Sequence, residues 1–421
     1  MRMIYECLMW FELSFFCGSK LDNYFVLLNV SFVLHISLVL SRLSYFHFTD
    51  FSAEAFTGTY GINYGRLADN IPSPDKVVKL LKASKIKNVR IFDSDHSVLE
   101  AFSGSGLDLT IAVNNGLVKQ MSSSEGQAAQ WVKENVEAYQ YSNIVGIAVG
   151  NEILSNDQEL SAVLLAAVTN IYKALQKAQL SDKIMVSTSH SYGVFNNSFP
   201  PSSCVFADNV VQYMKPLLDF FTKIGSPFCL NAYPFLAFMY NPGKIDINYA
   251  LFEKTTNIYD NVTGLYYDNL LDAQIDAAYA ALETAGYKKM EVIITETGWA
   301  SRGDGNEAAA NVTNARTYNY NLRKRLAKKK GTPLRPKIPL KAYIFALFNE
   351  YQKTGATSER NFGLFKADGS TAYDIGFKGL KSSSPASSIK LFKDVRHRSG
   401  HGSYLWTLMT CATLLLLYLK P

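Results

Sequence analysis

Cysteine is scarce in this sequence, and most of it lies near the ends. Of five cysteines in 421 residues, Cys7, Cys17 and Cys411 fall in terminal segments, which leaves only Cys204 and Cys229 between them. A small fold held together by several disulfides is therefore excluded. The two central cysteines are compatible with one disulfide in an oxidising compartment or with two buried thiols.

Motifs for binding metals or phosphates are also lacking. Only His96 and His190 of the six histidines lie in the central region, and they show no metal-ligand spacing, so we expect no metal and no cofactor. GINYG at residues 61–65 lacks the glycine spacing of a dinucleotide-binding turn, and neither a P-loop nor a G-x-S-x-G elbow occurs. These absences argue against nucleotide-dependent enzymes and serine hydrolases of the α/β type.

A large excess of charge of one sign is absent as well. The 42 Lys and Arg against 36 Asp and Glu leave a net charge of +6, and basic residues are dispersed except at 323–330. That run has helical spacing and is typical of a solvated helix face, so we expect no nucleic-acid partner. With 48% hydrophobic residues the chain can bury a sizeable core, and we expect it to act as a monomer.

Apolar segments mark both ends of the chain. Residues 25–40 are mostly apolar and 53–55 read A-E-A, so residues 1–55 are predicted to carry a signal peptide or an uncleaved signal anchor. A Ser-rich to basic linker at 381–404 and a hydrophobic tail at 405–421 have the layout of a GPI-anchor signal, whose attachment residue stays open. We therefore expect secretion to the cell wall or to the outer face of the plasma membrane. Three N-x-S/T triplets in the central region are compatible with glycosylation on that route, at Asn196, Asn261 and Asn311.

Strand-like runs alternate with helical patterns in the central region. The predicted strands are residues 60–64, 89–93, 107–113, 144–149, 184–188, 228–233, 292–295 and 342–348. Helical spacing follows the N-cap candidate Ser73 and recurs at residues 125–138, 157–178, 269–285 and 308–327. This rhythm predicts an α/β fold, a (β/α)8 TIM barrel over residues 58–380. A doubly wound open sheet is the alternative.

Two predicted strands end in a glutamate. NIVGIAVGNE closes on Glu152, and in MEVIITETGWAS the apolar run leads to Glu296. A buried carboxylate is costly unless it is paired or used, and glycosidic hydrolysis requires two: one to protonate the leaving oxygen and one to attack or to activate water. Either glutamate alone could instead cap the helix that follows.

The carboxyl ends of barrel strands form the active site of such folds. That rule selects Tyr64, Asp93, Asn114, Asn115, Asn151, Glu152, His190, Tyr233, Glu296, Trp299, Asn349 and Glu350. The mixture suits a sugar polymer, because aromatic rings cover the apolar faces of sugars while amides and acids bind hydroxyl groups. Glu350, Lys353 and Glu359 form a charged cluster that suits either the cleft or a solvated loop.

Six motifs in order resemble those of the plant β-1,3-glucanases of glycoside hydrolase family 17. They are GINYGR at 61–66, VRIFD at 89–93, VGNE at 149–152, NAYPF at 231–235, TETGW at 295–299, and FALFNE with ERNFGLF within 345–365. The resemblance covers residues 58–377. It implies a single catalytic (β/α)8 domain that hydrolyses internal β-1,3-glucosidic bonds, such as those of callose, with retention of configuration.

The resemblance also implies roles for individual residues. Glu152 would be the acid/base and Glu296 the nucleophile. Glucan contacts are implied for Tyr64, Asn151, Tyr233 and Phe235, and supporting roles in substrate binding for Glu350, Lys353 and Glu359. We add Trp299 to the substrate-binding set from its place after the seventh strand.

Two positions depart from the family pattern. Ala300 stands where proline usually follows the tryptophan, and Tyr351 stands where asparagine is usual. We expect both departures to affect how the substrate fits the site, because neither changes one of the two glutamates. The alternative function is a cell-surface β-glucan-binding protein that does not hydrolyse its ligand, or a transglycosylase that uses the same pair of carboxylates.

Overall fold

The computed structural model describes residues 56–376 apart from residue 242. The predicted N-terminal extension at 1–55, the linker at 381–404 and the tail at 405–421 lie outside the described residues. Among the residues described, none of the helices combines the length and the hydrophobicity needed to cross a bilayer.

Eight parallel strands close into a barrel. They are β1 (Tyr60–Asn63), β2 (Asn88–Arg90), β3 (Asp108–Val113), β4 (Ile144–Asn151), β5 (Met185–Ser191), β8 (Phe228–Asn231), β11 (Val292–Thr297) and β12 (Ala342–Ile344). Around the barrel the order is β1-β12-β11-β8-β5-β4-β3-β2. Each of the eight predicted runs supplies one strand, so the predicted TIM barrel is confirmed and the open sheet is wrong.

Helices connect successive strands. They are α1 (Pro74–Ala83), α2 (His96–Phe102), α3 (Asn115–Ser123), α4 (Glu125–Asn135), α5 (Ile153–Asn156), α6 (Gln158–Lys177), α7 (Asp208–Ile224), α8 (Pro234–Tyr240), α9 (Ile247–Ala250), α10 (Leu270–Thr284) and α11 (Val312–Ala327). In α6 the Asp157 side chain caps the Leu160 amide, and the buried residues Leu164, Val168 and Ile171 recur at helical spacing. Ser73 precedes α1 as predicted, but its side chain makes no capping hydrogen bond.

Additional elements lie in the loops that follow the barrel strands. After β5 come the hairpin strands β6 (Phe195–Asn196) and β7 (Val205–Phe206), and after β8 come β9 (Ile258–Asp260) and β10 (Leu265–Tyr267). Single 3-10 turns are formed by Glu137–Tyr139, Tyr192–Val194, Pro201–Ser203 and Thr357–Arg360. Cys204 and Cys229 are separate, buried free thiols, so the structure has no disulfide between them.

Candidate active site

Both candidate glutamates lie where a barrel strand loses its regular register. In β11 the pairing with β8 shifts between Ile294 and Glu296, and in β4 the pairing with β5 shifts between Ala148 and Asn151. Such irregularities bend a strand and redirect its side chains. Glu152 and Glu296 consequently line one cleft at the carboxyl ends of the strands.

Glu152 has an unusual backbone conformation. Its φ of 56° and ψ of 33° are left-handed, which costs a residue with a Cβ atom on the order of 1 kcal/mol. Gly150 also has a positive φ, of 71°, and the amide of Glu152 donates to the Ser189 carbonyl at 2.8 Å. Unfavourable backbone held in place by its surroundings is typical of functional sites.

Glu296 has a partner for each carboxylate oxygen. The Arg90 guanidinium donates through Nη1 to Oε1 at 3.0 Å, and the Tyr233 hydroxyl donates to Oε2 at 2.9 Å. Glu296 is 6% exposed and Arg90 is 1% exposed. A carboxylate buried this deeply needs such a cation and such donors to remain an anion.

Arg90 also organises the polar interior beneath the cleft. Its Nη1 donates to Asn63 Oδ1 at 3.2 Å, and its Nη2 donates to Asn151 Oδ1 at 3.0 Å and to Ser189 Oγ at 3.2 Å. The guanidinium therefore joins β1, β4 and β5 to Glu296 on β11. Each of these bonds restricts the position of the others.

Glu152 occupies a different electrostatic environment. Burial and the nearby Glu296 carboxylate raise the pKa of Glu152, while a hydrogen bond from Asn231 Nδ2 to Oε1, 2.7 Å long, opposes that rise. Asn231 is held in turn by Thr295 Oγ1, which donates to Asn231 Oδ1 at 2.7 Å. The cleft thus combines one paired anion with one carboxyl group that retains its proton more readily, an arrangement suited to acid–base and nucleophilic chemistry.

The cleft has a volume of about 1120 Å³. One wall is aromatic: the rings of Tyr233 and Phe362 have centroids 5.8 Å apart, and those of Phe345 and Phe362 are 5.5 Å apart. The predicted residues Tyr64, Asn151 and Tyr233 all line it. Aromatic faces beside polar groups are the pattern expected for binding carbohydrate.

The charged cluster after β12 belongs to the cleft and not to a solvated loop. Glu350, Lys353 and Glu359 all line it, and Glu350 is 4% exposed. Lys353 Nζ lies 3.1 Å from Glu350 Oε2 and 4.2 Å from the centre of the Phe345 ring. A Cβ atom on Gly65 would come within 2.3 Å of Glu350 Oε1, so this glycine leaves the space that the Glu350 carboxylate occupies where β1 leads into the cleft.

Two predicted substrate contacts are corrected by the structure. Phe235 and Trp299 are both 0% exposed, and neither lines the cleft. Their ring centroids are 5.3 Å apart, and Trp299 Nε1 donates to the Ala309 carbonyl at 2.8 Å. Phe235 also packs on Phe362 at 5.7 Å, so these side chains support the aromatic wall from behind instead of contacting a ligand.

His190 is a third strand-end residue with no place in the cleft. Its ring stacks on Phe228 at 5.1 Å, and burial lowers its pKa to about 3. Side chains alternate across a strand, and its neighbour Ser189 contacts Arg90 inside the barrel. His190 therefore faces the layer outside the barrel, where it packs as a neutral ring.

Arg90 and Asn231 are central to the site, yet sequence reasoning assigned no role to either. A usable signal was present, because each is a polar residue inside an otherwise apolar strand, in NVRIF and FCLNA. Such a side chain must find a buried partner. The sequence alone could not show that the partners are the two candidate glutamates.

A second cavity, of about 940 Å³, lies at the amino ends of the strands. It is lined by Phe56, the Lys341–Glu291 ion pair and inner barrel residues, but by neither Glu152 nor Glu296. Without the paired carboxylates it lacks the groups that the chemistry needs. The cleft at the carboxyl ends is the candidate active site.

Comparison with known proteins gives a consistent result. The family model described as glycosyl hydrolases family 17 matches residues 60–377. Glucan endo-1,3-beta-glucosidase 7 of Arabidopsis thaliana is 44% identical over 360 residues, which cover 85% of this chain and 71% of the relative. Glucan endo-1,3-beta-glucosidase 11 of the same plant is 44% identical over 325 residues, 76% of each chain.

Solved structures show the same relationship. The chain is similar to a β-1,3-glucanase and allergen of Cryptomeria japonica pollen, with a TM-score of 0.73 and 39% identity over 76% of this chain and 99% of the other. It is also similar to a plant β-glucan endohydrolase, with a TM-score of 0.68 and 34% identity over 73% and 97% of the two chains. The chain therefore belongs to the glycosyl hydrolases of family 17.

Proposed function

We propose that this chain is a retaining endo-hydrolase of β-1,3-glucosidic bonds in callose-type β-1,3-glucan. The relatives at 44% identity are named as endo-1,3-β-glucosidases. The observation that carries the proposal is the difference between the two carboxyl groups of the cleft: Glu296 is paired with Arg90, and burial beside that anion raises the pKa of Glu152. One group is prepared to attack and the other to donate a proton.

The reaction follows from this difference. Glu296 attacks the anomeric carbon of the bound sugar while the Glu152 carboxyl group protonates the departing oxygen, so a covalent glycosyl–enzyme ester forms with the Glu296 carboxylate. Glu152, now an anion, takes a proton from a water molecule that attacks the same carbon and releases Glu296. Two displacements at one carbon restore the original configuration.

Arg90 and Tyr233 assist the nucleophile in this scheme. Their hydrogen bonds to the two Glu296 oxygens fix the direction of the carboxylate before the substrate arrives. Tyr64, Tyr233 and Phe345 contribute aromatic surface to the cleft that would hold the glucose units, and Asn151, Glu350, Lys353 and Glu359 offer polar groups to their hydroxyls.

We further propose that the enzyme acts outside the cell, at the cell wall or on the outer face of the plasma membrane. The support lies in the sequence of the two ends, with a signal peptide or signal anchor within 1–55 and a GPI-anchor layout at 405–421. Polymeric glucan of the wall would be accessible there to a monomer held by a glycolipid.

The test is product analysis of the purified protein on an unbranched β-1,3-glucan, with anomeric configuration followed by NMR. We expect short oligosaccharides that are β-configured when first released. Glu296→Ala and Glu152→Gln should lower turnover by about 10³-fold or more without unfolding the barrel. Glu159→Gln, which changes an exposed glutamate on α6, is the matched control and should leave turnover unchanged.

Other results would point to the alternatives. Near-normal turnover in either cleft variant, with the fold confirmed by circular dichroism, would overturn the roles assigned to the glutamates. Binding of the polymer without cleavage would favour a β-glucan-binding protein. Products longer than the starting oligosaccharide would show that a sugar hydroxyl competes with water for the intermediate, as in a transglycosylase.

A further inference from the structure

The β9–β10 hairpin presents a well-defined turn to solvent. Its strands pair with Asp260 opposite Leu265, and the Gly264 amide donates to the Asp260 carbonyl at 2.8 Å. Gly264 has a φ of 71°, which closes the turn in the left-handed region that glycine tolerates best. The residues between Asp260 and Gly264 are Asn261, Val262 and Thr263, one of the three N-x-S/T triplets of the central region.

Asp260 fixes the shape of this turn from inside. It is 0% exposed, and its Oδ1 accepts from the Val262 amide at 3.0 Å and from Ser202 Oγ at 2.8 Å. Its Oδ2 accepts from the Ser202 amide at 2.9 Å. Burial opposes its ionisation, but these hydrogen bonds prevail and hold the pKa of Asp260 below its ordinary value. The turn is thereby tied to the adjoining loop, and Asn261 is held outward.

The outer face of the hairpin carries two exposed aromatic rings. Tyr259 and Tyr266 are directly opposite one another, with ring centroids 4.7 Å apart, and they are 52% and 60% exposed. Because side chains alternate along a strand, Tyr259 points opposite to the buried Asp260, and Asn261 follows at the first position of the turn, where it is exposed. An apolar surface of this kind beside a polar turn calls for an explanation.

The other two triplets lack these features. At Asn196 the residue two positions before is Val194, which is buried, and the exposed ring of Phe199 instead follows the triplet. Asn311 is occupied as the N-cap of α11, where its Oδ1 accepts from the Asn314 amide and its Nδ2 donates to the Ala308 carbonyl. Asn261, like Asn196, is exposed, but unlike Asn311 its side chain makes no hydrogen bond within the described part of the chain.

We propose that Asn261 carries an N-linked glycan whose first N-acetylglucosamine packs on the Tyr259 ring. The Asn261 amide nitrogen forms a bond to the anomeric carbon of the sugar and loses one proton, while the bond from that carbon to the pyrophosphate of a lipid-linked oligosaccharide donor breaks. The C–H face of the sugar then covers a ring that is otherwise exposed, and Tyr266 supports the ring from the neighbouring strand. The inference rests on the proposed extracellular location, since the donor is found in the secretory pathway.

The experiment uses the full chain, fused behind a signal sequence of established efficiency so that entry into the secretory pathway does not depend on residues 1–55. Glycopeptide mass spectrometry measures the occupancy of the three triplets. Hydrogen-exchange rates of the hairpin amides are compared before and after enzymatic removal of the glycan. The difference in rate measures the contact between the glycan and the hairpin. The variants are Tyr259→Ala and, as a matched exposed tyrosine outside the hairpin, Tyr141→Ala.

We expect high occupancy at Asn261 and exchange at residues 258–267 that is several-fold slower with the glycan than without it. Tyr259→Ala should abolish this difference, and Tyr141→Ala should keep it. The proposal would be overturned if Asn261 carried no glycan in a chain that is modified at Asn196. It would also be overturned if the exchange rates were the same with and without the glycan. If the chain without the added signal sequence does not enter the secretory pathway while the fused chain does, that result contradicts the proposed extracellular location and not the glycan site.

Discussion

Arg90 Nη1 lies 3.0 Å from Glu296 Oε1, and both residues are almost completely buried. The same guanidinium reaches Asn151, the residue just before Glu152, at 3.0 Å. One side chain therefore supports both carboxyl groups, although it projects from β2, which is not a neighbour of β11 in the barrel. Arg90 positions the glutamates and compensates the negative charge of Glu296, because the proposed reaction takes place at the two glutamates.

Replacing Arg90 by lysine tests this relationship. Arg90→Lys keeps the positive charge but loses the planar fork, so a single ammonium cannot serve Glu296 and Asn151 together. We expect kcat to fall by about 10²-fold while KM changes by about three-fold or less, because the lost interactions fix the nucleophile and not the substrate.

The matched control is Arg325→Lys. Arg325 forms a partly buried ion pair with Asp272 at 3.1 Å, and neither residue lines the cleft. This variant should lose stability to a similar degree but keep kcat. Equal losses of kcat in both variants would mean that Arg90 acts only through general stability.

Asn231 controls the protonation of Glu152. Burial and Glu296 raise the pKa of Glu152, and the Asn231 hydrogen bond lowers it because it stabilises the carboxylate. Asn231→Ala should therefore raise that pKa further, and the alkaline limb of kcat/KM should move to higher pH. The acid must be protonated to act, so the variant retains activity at a pH where the wild type loses it.

Asn319→Ala provides the comparison for this pH profile. Asn319 is also a buried asparagine, but it donates to Tyr373 and to the Ala315 carbonyl, away from the cleft. Its pH profile should match that of the wild type. An alkaline limb that moves to lower pH in Asn231→Ala would contradict the assigned direction of the hydrogen bond's effect.

The sequence predicted the barrel well because each element carried its own local signal. The apolar runs that become β4 and β11 are rich in β-branched residues, and α6 has a regular apolar face after a capping aspartate. The resemblance predicted membership of glycoside hydrolase family 17, which the comparisons confirm. These are properties of short segments or of ordered motifs, and a linear sequence displays both directly.

The depth of a side chain was not predictable in the same way. Trp299 and Phe235 follow barrel strands just as Tyr233 does, yet two of the three rings turn into the core. Trp299 follows Gly298, whose close approach to the Phe345 carbonyl leaves no room for a Cβ atom, which would come within 2.0 Å of that oxygen. Contacts between segments so far apart in the chain leave no mark in either segment alone.

The packing role of Trp299 leads to a separate prediction. Trp299→Phe removes the hydrogen bond to Ala309 and leaves unfilled volume, so the free energy of unfolding should fall by about 1–3 kcal/mol. KM for β-1,3-glucan should stay within about two-fold of the wild type, because no part of the indole is exposed to substrate.

Tyr233→Phe should behave in the opposite way. It removes the hydroxyl that donates to Glu296 at 2.9 Å, and we expect kcat to fall by about ten-fold or more with a small change in stability. Denaturant titrations beside steady-state kinetics separate the two cases. A large rise in KM for Trp299→Phe at unchanged stability would restore Trp299 to the substrate-binding set.

The last prediction concerns stability away from the cleft. Asp276 on α10 is 0% exposed, and burial is the main cause that raises its pKa to about 7. Its Oδ2 accepts from the Leu334 amide at 2.8 Å, and this hydrogen bond and those from the Thr332 and Tyr267 side chains lower the pKa without offsetting the effect of burial. The folded protein therefore binds this proton more tightly than the unfolded chain does.

The sign of the pH effect follows from linkage. With a folded pKa near 7 and an unfolded pKa of about 3.9, the contribution of Asp276 is full below about pH 4 and is lost as the pH rises through 7. Between pH 5 and pH 8 the wild type should lose up to about 3 kcal/mol relative to Asp276→Asn, whose amide has no charge to bury. Urea unfolding of both proteins at the two pH values measures this difference, and Asp182→Asn, at an exposed aspartate, should show no such pH-dependent gap. If the stabilities of wild type and Asp276→Asn differ equally at pH 5 and pH 8, Asp276 does not retain its proton in the folded protein.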